Sequence, residues 1–201
     1  SYWRAFNFIT DSISLDLPED ENDFYQSAVA FGEFQKNLSN YPAEKLYDTI
    51  PNFHNTPVRY ENFLKSLEKN ASGRAQNALK EIEFVKARRD FMSILEDSYK
   101  EGKLPKKVTH NDTKLNNVMF HASDRTPLCV MDLDTTMPGL SAYDYGDAIR
   151  FGASTAAEDE KDLSKVSMDL ELFRLFTKGF LEACPGLTEK EKEVLPLGAY
   201  T

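Results

Sequence analysis

The residues of this chain best suited to chemistry lie in one polar loop and at the end of the apolar run that follows it. The loop, residues 108–120, carries Asp112 and Asn117 five positions apart. The next apolar run ends at Asp132 within Met131-Asp-Leu-Asp134. Phosphoryl transfer from a nucleotide needs these groups: a carboxylate that orients the attacking hydroxyl, and an amide and a carboxylate that hold magnesium. The pattern therefore predicts phosphoryl-transfer chemistry.

Taken one at a time, the polar residues of this loop are more typical of turns than of a catalytic site, because Asn and Asp tolerate left-handed backbone and bond their own chain. This reading applies to His110, Asn111, Asp112, Asn116 and Asn117. Their order is what favours chemistry. The spacing His-x-Asp-x-x-x-x-Asn, followed by an Asp at the end of the next β segment, is that of a kinase catalytic loop. We interpret the His as an architectural hydrogen-bonding residue.

Each residue of the set has a physical task. Asp112 is expected to accept a hydrogen bond from the acceptor hydroxyl and to take its proton. Asn117 would give magnesium a neutral oxygen and Asp132 a charged one. Asp134 shares the face of Asp132 if the segment is extended, so it has either a second metal contact or a structural role. Lys114 either neutralises charge on the transferring group or is an ordinary exposed lysine.

Composition limits the classes of function. A chain of 201 residues suits one domain, or one large lobe with a small appendage. A hydrophobic content of 41% excludes global disorder, and a net charge of -9 argues against nucleic-acid binding. No apolar run approaches the length of a membrane span. Cys129 and Cys184 are far apart, which predicts free thiols and a cytoplasmic location.

In the first half of the chain, hydrophobic spacing predicts one strand followed by helices. Alternation over residues 2–9 indicates the strand, and the apolar positions after Glu19 indicate a helix that ends near Asn40. A short helix is expected over residues 58–67. The longest helix is predicted over residues 73–99, with a buried apolar stripe and a stop at Gly102.

In the second half, short β segments surround the polar loops. They are expected at residues 107–109, 118–120 and 128–131. A helix over residues 141–151 would begin with a capping box of Ser141 and Asp144. Residues 153–165 are polar and expected to be mobile. Residues 168–183 predict a helix buried on nearly every side, and Thr188 and Glu191 would cap the last helix.

Three motifs resemble those of the aminoglycoside phosphotransferase and choline kinase superfamily. They are His110-Asn-Asp-x-x-x-x-Asn117, Met131-Asp-Leu-Asp134 and Tyr143-Asp-Tyr-Gly-Asp147. Further segments resemble N-acetylhexosamine 1-kinases, namely residues 132–140 and 143–152, Trp3-Arg-Ala-Phe6 and Pro51-Asn-Phe-His54. The similarity covers nearly the whole chain but only part of that family's full length.

The resemblance implies an α+β, mainly helical fold: the C-terminal lobe of a protein-kinase-like enzyme, with short β segments around the catalytic loop. Residues 1–14 would be the last strand of the N-terminal lobe and the hinge, and residues 15–201 the catalytic lobe. The implied reaction moves the γ-phosphate of ATP, with Mg²⁺, to the anomeric hydroxyl of N-acetylglucosamine or N-acetylgalactosamine.

The resemblance also implies roles for individual residues. Asp112 would be the base, Asn117 and Asp132 the metal ligands, and Asp144 a brace for the loop. Adenine would bind at the hinge near residues 8–14, at Phe8, Ile9 and Thr10.

Departures from protein kinases favour a small-molecule acceptor. Asn111 replaces the Arg that pairs with a phosphorylated activation loop, and Asp132-Leu-Asp replaces Asp-Phe-Gly. Only a handful of residues separate Asp132 from the helix near Ser141, too few for a peptide-docking platform. His54, Arg150 and either Tyr143 or Tyr145 are candidates for a sugar pocket, and each is equally suited to a structural role.

The sequence contains no Gly-rich phosphate loop and no preceding strand with a phosphate-pairing lysine. The fragment is therefore expected to bind ATP poorly and to show no measurable sugar kinase activity alone, in contrast to a full-length protein. Two alternatives stay open: a choline- or aminoglycoside-type phosphotransferase, and a degenerate kinase lobe used for binding. A sulfatase is disfavoured because Cys184-Pro-Gly-Leu-Thr188 lacks the required spacing and Arg. The sequence does not predict an oligomeric state.

Overall fold

The structure is a computed structural model that describes residue 3 and residues 5–156 and 159–200. It is α+β and mainly helical, as the sequence predicts. The helices are α1 (Glu21–Asn37), α2 (Thr56–Lys69), α3 (Leu79–Lys86), α4 (Arg89–Met92), α5 (Ile94–Lys100), α6 (Ser141–Gly152), α7 (Leu170–Ala183) and α8 (Glu189–Val194). The strands are β1 (Ser12–Ile13), β2 (Lys107–Thr109), β3 (Val118–His121), β4 (Pro127–Val130) and β5 (Met137–Gly139). No helix in the described part of the chain is long and apolar enough to cross a membrane.

Two small antiparallel sheets hold the two ends of the polar loop. Strand β2 enters the loop and pairs with β5, with Thr109 opposite Met137. Strand β3 leaves the loop and lies between β1 and β4, with Val118 opposite Val130. The strands are short, but β2 and β3 flank the loop, and β5 belongs to the segment after Asp132. The sheets therefore fix where the loop begins and ends.

A helical core supports these sheets. Asp20 and Asp23 form a capping box that starts α1, and α1 lies against α7 over most of its length. The rings of Phe24 and Phe176 lie 4.8 Å apart at the centre of this contact. The largest fully buried side chains of the core are Tyr145, Phe24, Phe31, Phe120, Phe176 and Phe180. Burial of these aromatic rings supplies much of the hydrophobic stabilisation.

The predicted strand over residues 2–9 is wrong for the residues that the structure describes, while residues 1, 2 and 4 lie outside that range. Trp3, Phe6 and Phe8 are at least 83% exposed and form no ladder. The strand instead forms at Ser12–Ile13, where β3 offers a partner. Alternating side chains alone do not make a strand, because an isolated strand has no hydrogen-bonding partner.

The long helix predicted over residues 73–99 is also wrong. The segment forms a 3₁₀ turn at Ala75–Ala78 and then α3, α4 and α5. Of the predicted stripe, Ile82 and Leu95 are buried, whereas Leu79 is 59% exposed. Most helical stability comes from packing an apolar face, so a stripe with little to cover it does not hold one continuous helix.

Two predictions for the later helices need correction. Leu140, not Ser141, occupies the N-cap position of α6, and no side chain caps it. Ser141 donates to Glu191 instead, and Asp144 turns inward. Helix α7 starts at Leu170, which is 72% exposed, so the helix is amphipathic rather than buried all round. The predicted Thr188–Glu191 capping box is confirmed.

Gly152→Ala is expected to destabilise the fold by about 1–3 kcal/mol, the usual range for overpacking a core. A Cβ atom on Gly152 would lie 2.1 Å from the ring of Phe24, which packs on Phe176. The measurement is the urea midpoint at constant m-value. Gly186→Ala is the matched control, because a Cβ atom there meets nothing within 4 Å. Equal midpoints for the two variants would contradict this prediction.

Candidate active site

A buried carboxylate holds the start of the catalytic loop. The two oxygens of Asp144 accept hydrogen bonds from the backbone N–H groups of His110 at 3.0 Å and Asn111 at 2.7 Å. The side-chain amide of Gln35 donates a third bond at 2.7 Å. Burial raises the pKa of Asp144, while the hydrogen bonds donated by Asn111, Gln35 and the His110 backbone oppose that shift. Asp144 therefore braces the loop, the role that the resemblance implies for it.

His110 links the loop to the residue before Asp132. Its Nδ1 accepts from the backbone N–H of Asp112 at 3.2 Å, and its Nε2 lies 2.7 Å from the carbonyl oxygen of Met131. These partners assign the neutral tautomer with the proton on Nε2. The rings of Phe31 and Phe34 lie at 5.4 and 5.7 Å from the imidazole. His110 is thus an architectural residue, as the sequence suggests.

The amide of Asn117 orients Asp112. Its Nδ2 donates to the Asp112 backbone carbonyl at 2.8 Å and to the carboxylate Oδ2 at 3.0 Å. Lys114 Nζ lies 3.6 Å from the other carboxylate oxygen, Oδ1. Since both amide protons point to Asp112, Oδ1 of Asn117 is the atom left for a metal. The carboxylate itself is partly exposed and able to meet a ligand.

A backbone hydrogen bond joins the residue before Asp132 to Asn117. The backbone N–H of Met131 donates to the Asn117 carbonyl at 2.8 Å, which ties the residue before Asp132 to the loop. Asp132 itself is exposed and adopts left-handed backbone, with φ of 54°. Asp adopts this conformation more readily than most side chains do, and residues held in it are concentrated at functional sites.

The prediction for Asp134 depends on an extended segment, and residues 133–135 are not extended. Leu133–Thr135 is a 3₁₀ turn rather than an extended segment, so residues 132 and 134 do not share a strand face. Thr49 donates to the Asp134 backbone carbonyl at 3.2 Å. Its role as a metal ligand remains a prediction.

The donor set fits magnesium. Among the described residues, no three His, Cys, Asp or Glu side chains form a cluster able to hold a metal ion. Mg²⁺ bound with a nucleotide needs no such cage, because it uses one or two protein oxygens together with phosphate oxygens and water. One amide oxygen from Asn117 and one carboxylate from Asp132 meet that need.

A cavity of about 310 Å³ opens beside Asp112. It brings together four of the predicted site residues: His54, Asp112, Lys114 and Arg150. Its other lining residues are Phe53, Arg59, Asn111, Tyr143, Gly146, Asp147, Gly198 and Ala199. The predicted catalytic and acceptor residues therefore share one space, although they lie up to about a hundred positions apart in sequence.

His54 is held by a hydrogen bond at the edge of its ring and by stacking on one face. Its Nε2 lies 3.0 Å from the Asn111 carbonyl oxygen, and since that oxygen only accepts, Nε2 carries the proton. The ring stacks on Tyr143 at 5.2 Å and 24°. The Tyr143 hydroxyl in turn donates to Glu96, and burial raises the pKa of Tyr143 with a further contribution from Glu96. These contacts connect residues 50–56 and α5 to the catalytic loop.

The predicted nucleotide residues lie on the segment that precedes Ser14, which contacts the loop. Phe8 is exposed, and the Ile9 carbonyl accepts from the Ser12 hydroxyl at 2.7 Å. Thr10 is exposed at a turn. The Ser14 hydroxyl then donates to the Asn116 carbonyl at 2.9 Å, which attaches this segment to the catalytic loop.

Sequence reasoning missed several residues of the site. Asp147 accepts from the Thr113 N–H at 2.8 Å and pairs with Arg150 at 3.2 Å, so it holds the residue that follows Asp112. Its position three residues after Asp144 on one helix was a usable signal, because such residues share a helix face. Gly198 and Ala199 had no comparable signal.

The family comparison agrees with this geometry. The model of the phosphotransferase enzyme family matches residues 1–165. That range includes the catalytic loop with Asp112 and Asn117, the metal candidate Asp132 and all of α6. Because the match covers most of the chain and contains its catalytic loop, the protein belongs to the phosphotransferase enzyme family.

Proposed function

We propose that this phosphotransferase moves the γ-phosphate of ATP to a hydroxyl of a sugar, with the anomeric hydroxyl of N-acetylglucosamine or N-acetylgalactosamine as acceptor. One observation carries the proposal: the Asp112 carboxylate, oriented by Asn117, faces a cavity that also contains His54 and Arg150. A hydroxyl compound in that cavity would meet a positioned base.

The proposed chemistry is a single displacement. The acceptor hydroxyl donates a hydrogen bond to Asp112, and its oxygen forms a bond to the γ-phosphorus. The bond between that phosphorus and the oxygen bridging to the β-phosphate breaks, and ADP leaves. The hydroxyl proton passes to Asp112 late in the transfer. Lys114, within 3.6 Å of Asp112, offsets negative charge on the transferring group.

Asn117 and Asp132 would hold Mg²⁺ through their side-chain oxygens, and Asp134 is proposed as a further contact. When bound, Mg²⁺ neutralises charge on the phosphate oxygens. Phe8, Ile9 and Thr10 are proposed to contact adenine, since the segment after them is attached to the loop through Ser14. An ATP-dependent reaction fits a cytoplasmic enzyme.

The short segment after Asp132 supports a small acceptor. Residues 137–139 form β5 and pair with β2, so the chain returns to the loop directly before α6 begins. Asn111, which stands where protein kinases place an Arg, donates through Nδ2 to the Thr135 carbonyl at 2.9 Å. This contact holds the segment closed and leaves no extended platform for a peptide.

The charges of the cavity support a sugar over choline or an aminoglycoside. The cavity is lined by three cationic side chains, those of Arg59, Lys114 and Arg150. It is also lined by two carboxylates: Asp112, which pairs with Lys114, and Asp147, which pairs with Arg150. A polycationic acceptor would face repulsion from the cationic side chains. Arg, Lys and His side chains donate hydrogen bonds, which suits the hydroxyl and acetamide oxygens of a neutral amino sugar.

A test of Mg²⁺-dependent ATP binding distinguishes a functional catalytic site from a degenerate kinase lobe. ATP at one hundred times its dissociation constant should raise the Tm by roughly 5–10 °C in the presence of Mg²⁺. Asp132→Ala is expected to abolish this shift because it removes the charged metal ligand. Asp90→Ala, a change of an exposed carboxylate on α4, should preserve it. An unchanged shift in Asp132→Ala would remove Asp132 from the metal site.

An acceptor screen tests the proposal itself. The full-length gene product is assayed for ADP release with hexoses, N-acetylhexosamines, choline and aminoglycosides, each with ATP and Mg²⁺. Product formed from N-acetylhexosamine, with a phosphate ester at the anomeric carbon, is the expected result. Phosphorylation of choline with no sugar turned over would overturn the proposed acceptor while leaving the family intact.

A further inference from the structure

The C-terminal 3₁₀ segment, Leu195–Tyr200, lies in direct backbone contact with α6. A Cβ atom on Gly146 would lie 2.0 Å from the Gly198 carbonyl carbon, and one on Gly198 would lie 1.8 Å from the Ala142 carbonyl oxygen. Only glycine at both positions allows so close an approach. The segment is therefore held at a fixed distance from the helix that carries Tyr143, Asp147 and Arg150.

This contact gives the cavity beside Asp112 one of its walls. Gly198 and Ala199 line the same 310 Å³ space as Asp112, Lys114 and His54. Leu197 and Ala199 also pack against the hydrophobic core, so the wall is anchored from behind. The wall is therefore part of the folded domain.

The wall lies outside the region that the family model matches. The match ends at residue 165, whereas the wall is formed by residues 195–200. The groups proposed for chemistry, Asp112, Asn117 and Asp132, all lie inside the matched region. The groups proposed for chemistry thus lie within the matched region and one wall of the cavity lies outside it, so that wall can set selectivity without altering the catalytic loop.

The size of the cavity indicates what such a wall selects. A volume of about 310 Å³ is at the lower end of the roughly 300–1,000 Å³ typical of small-molecule sites. A single sugar ring suits such a space better than a multi-ring acceptor. Besides Gly198, Ala199 is the wall residue that lines the cavity, and because it carries only a methyl group, a larger side chain at this position would reduce the volume.

We propose that Ala199 is a specificity-determining residue that limits the acceptor to a single sugar ring carrying a short N-acyl group. The inference rests on the proposed function, because it takes this cavity as the acceptor site. Enlarging the side chain should exclude acceptors by size, and removing the methyl group should admit longer acyl chains.

The test uses the full-length gene product with Ala199→Leu and Ala199→Gly. The acceptors are glucose, N-acetylglucosamine, N-butyrylglucosamine and the disaccharide of N-acetylglucosamine. Ala199→Leu is expected to raise the KM for N-acetylglucosamine at least tenfold and to affect glucose less, with the KM for ATP unchanged. Ala199→Gly should improve N-butyrylglucosamine relative to N-acetylglucosamine. Tyr200→Leu is the control, since Tyr200 is 71% exposed and does not line the cavity.

The outcomes separate the two proposals. If wild type phosphorylates N-acetylglucosamine but the Ala199 variants leave the order of acceptors unchanged, the wall is not a selector and only this inference fails. An equal rise in the KM values for all acceptors and for ATP in Ala199→Leu would assign Ala199 a purely structural role and also overturn the inference. If wild type turns over no sugar in the panel, the proposed function fails, and the inference fails with it.

Discussion

Asp112→Asn is expected to lower kcat by about 10²–10⁴-fold with saturating acceptor and ATP, the usual contribution of a positioned general base. The amide cannot take the proton of the acceptor hydroxyl. It does retain an oxygen that can accept from Asn117, whose amide lies 3.0 Å from the native carboxylate. The loop should therefore keep its shape while the chemistry is lost.

The measurement is steady-state turnover of the full-length gene product together with the Tm of the variant. Asp90→Asn makes the same chemical change on an exposed helix and should leave kcat within about twofold. A fall in kcat with an unchanged Tm and an unchanged ATP-induced shift identifies Asp112 as a catalytic group. Retention of kcat within threefold of wild type would show that another group accepts the proton.

The catalytic loop could be predicted from the sequence because its residues lie close together along the chain. The Asp, the Asn and the flanking apolar segments lie within about 25 residues, and their order carries the information. The structure adds the reason for the unusual Asn111, which has left-handed backbone with φ of 67°. Its side chain accepts from Thr109 and donates to the Thr135 carbonyl. It closes the loop onto the segment after Asp132 through neutral hydrogen bonds.

The rest of the site depends on contacts between distant parts of the chain. The bond from His54 to Asn111 spans 57 positions, and that from Tyr143 to Glu96 spans 47. The wall at Gly198 depends on its fit to Gly146. No local pattern specifies such contacts, because they arise only once the helices have packed.

The failures in secondary structure have the same origin. Residues 73–99 have helical spacing, yet the fold gives their stripe too little to cover it, and the segment breaks into shorter helices. The residues described within 2–9 alternate like a strand but lie beside no partner. In both regions tertiary packing overrides a local preference. Where the local pattern and the packing agree, as at α1, the sequence predicts the element closely.

Asp144→Ala is expected to destabilise the protein by about 3–5 kcal/mol, because it leaves buried hydrogen-bond donors without an acceptor. The backbone N–H groups of His110 and Asn111 and the amide of Gln35 all donate to this carboxylate. Water cannot easily replace the acceptor, since Asp144 is only 1% exposed. The urea midpoint at constant m-value measures the loss.

Asp144→Asn tests the contribution of the hydrogen bonds to stability separately from that of the side chain's size. It keeps the size and one accepting oxygen but turns an NH₂ group toward at least one donor, so we expect a loss of about 1–3 kcal/mol. Amide hydrogen exchange at His110 and Asn111 should speed up in both variants, while exchange in α7 follows only the global change. If Asp144→Ala costs less than about 1 kcal/mol, the loop is held by its flanking strands instead. A large loss with faster local exchange would show that one buried carboxylate sets the position of the base, since Asp112 follows directly after the two residues that Asp144 holds.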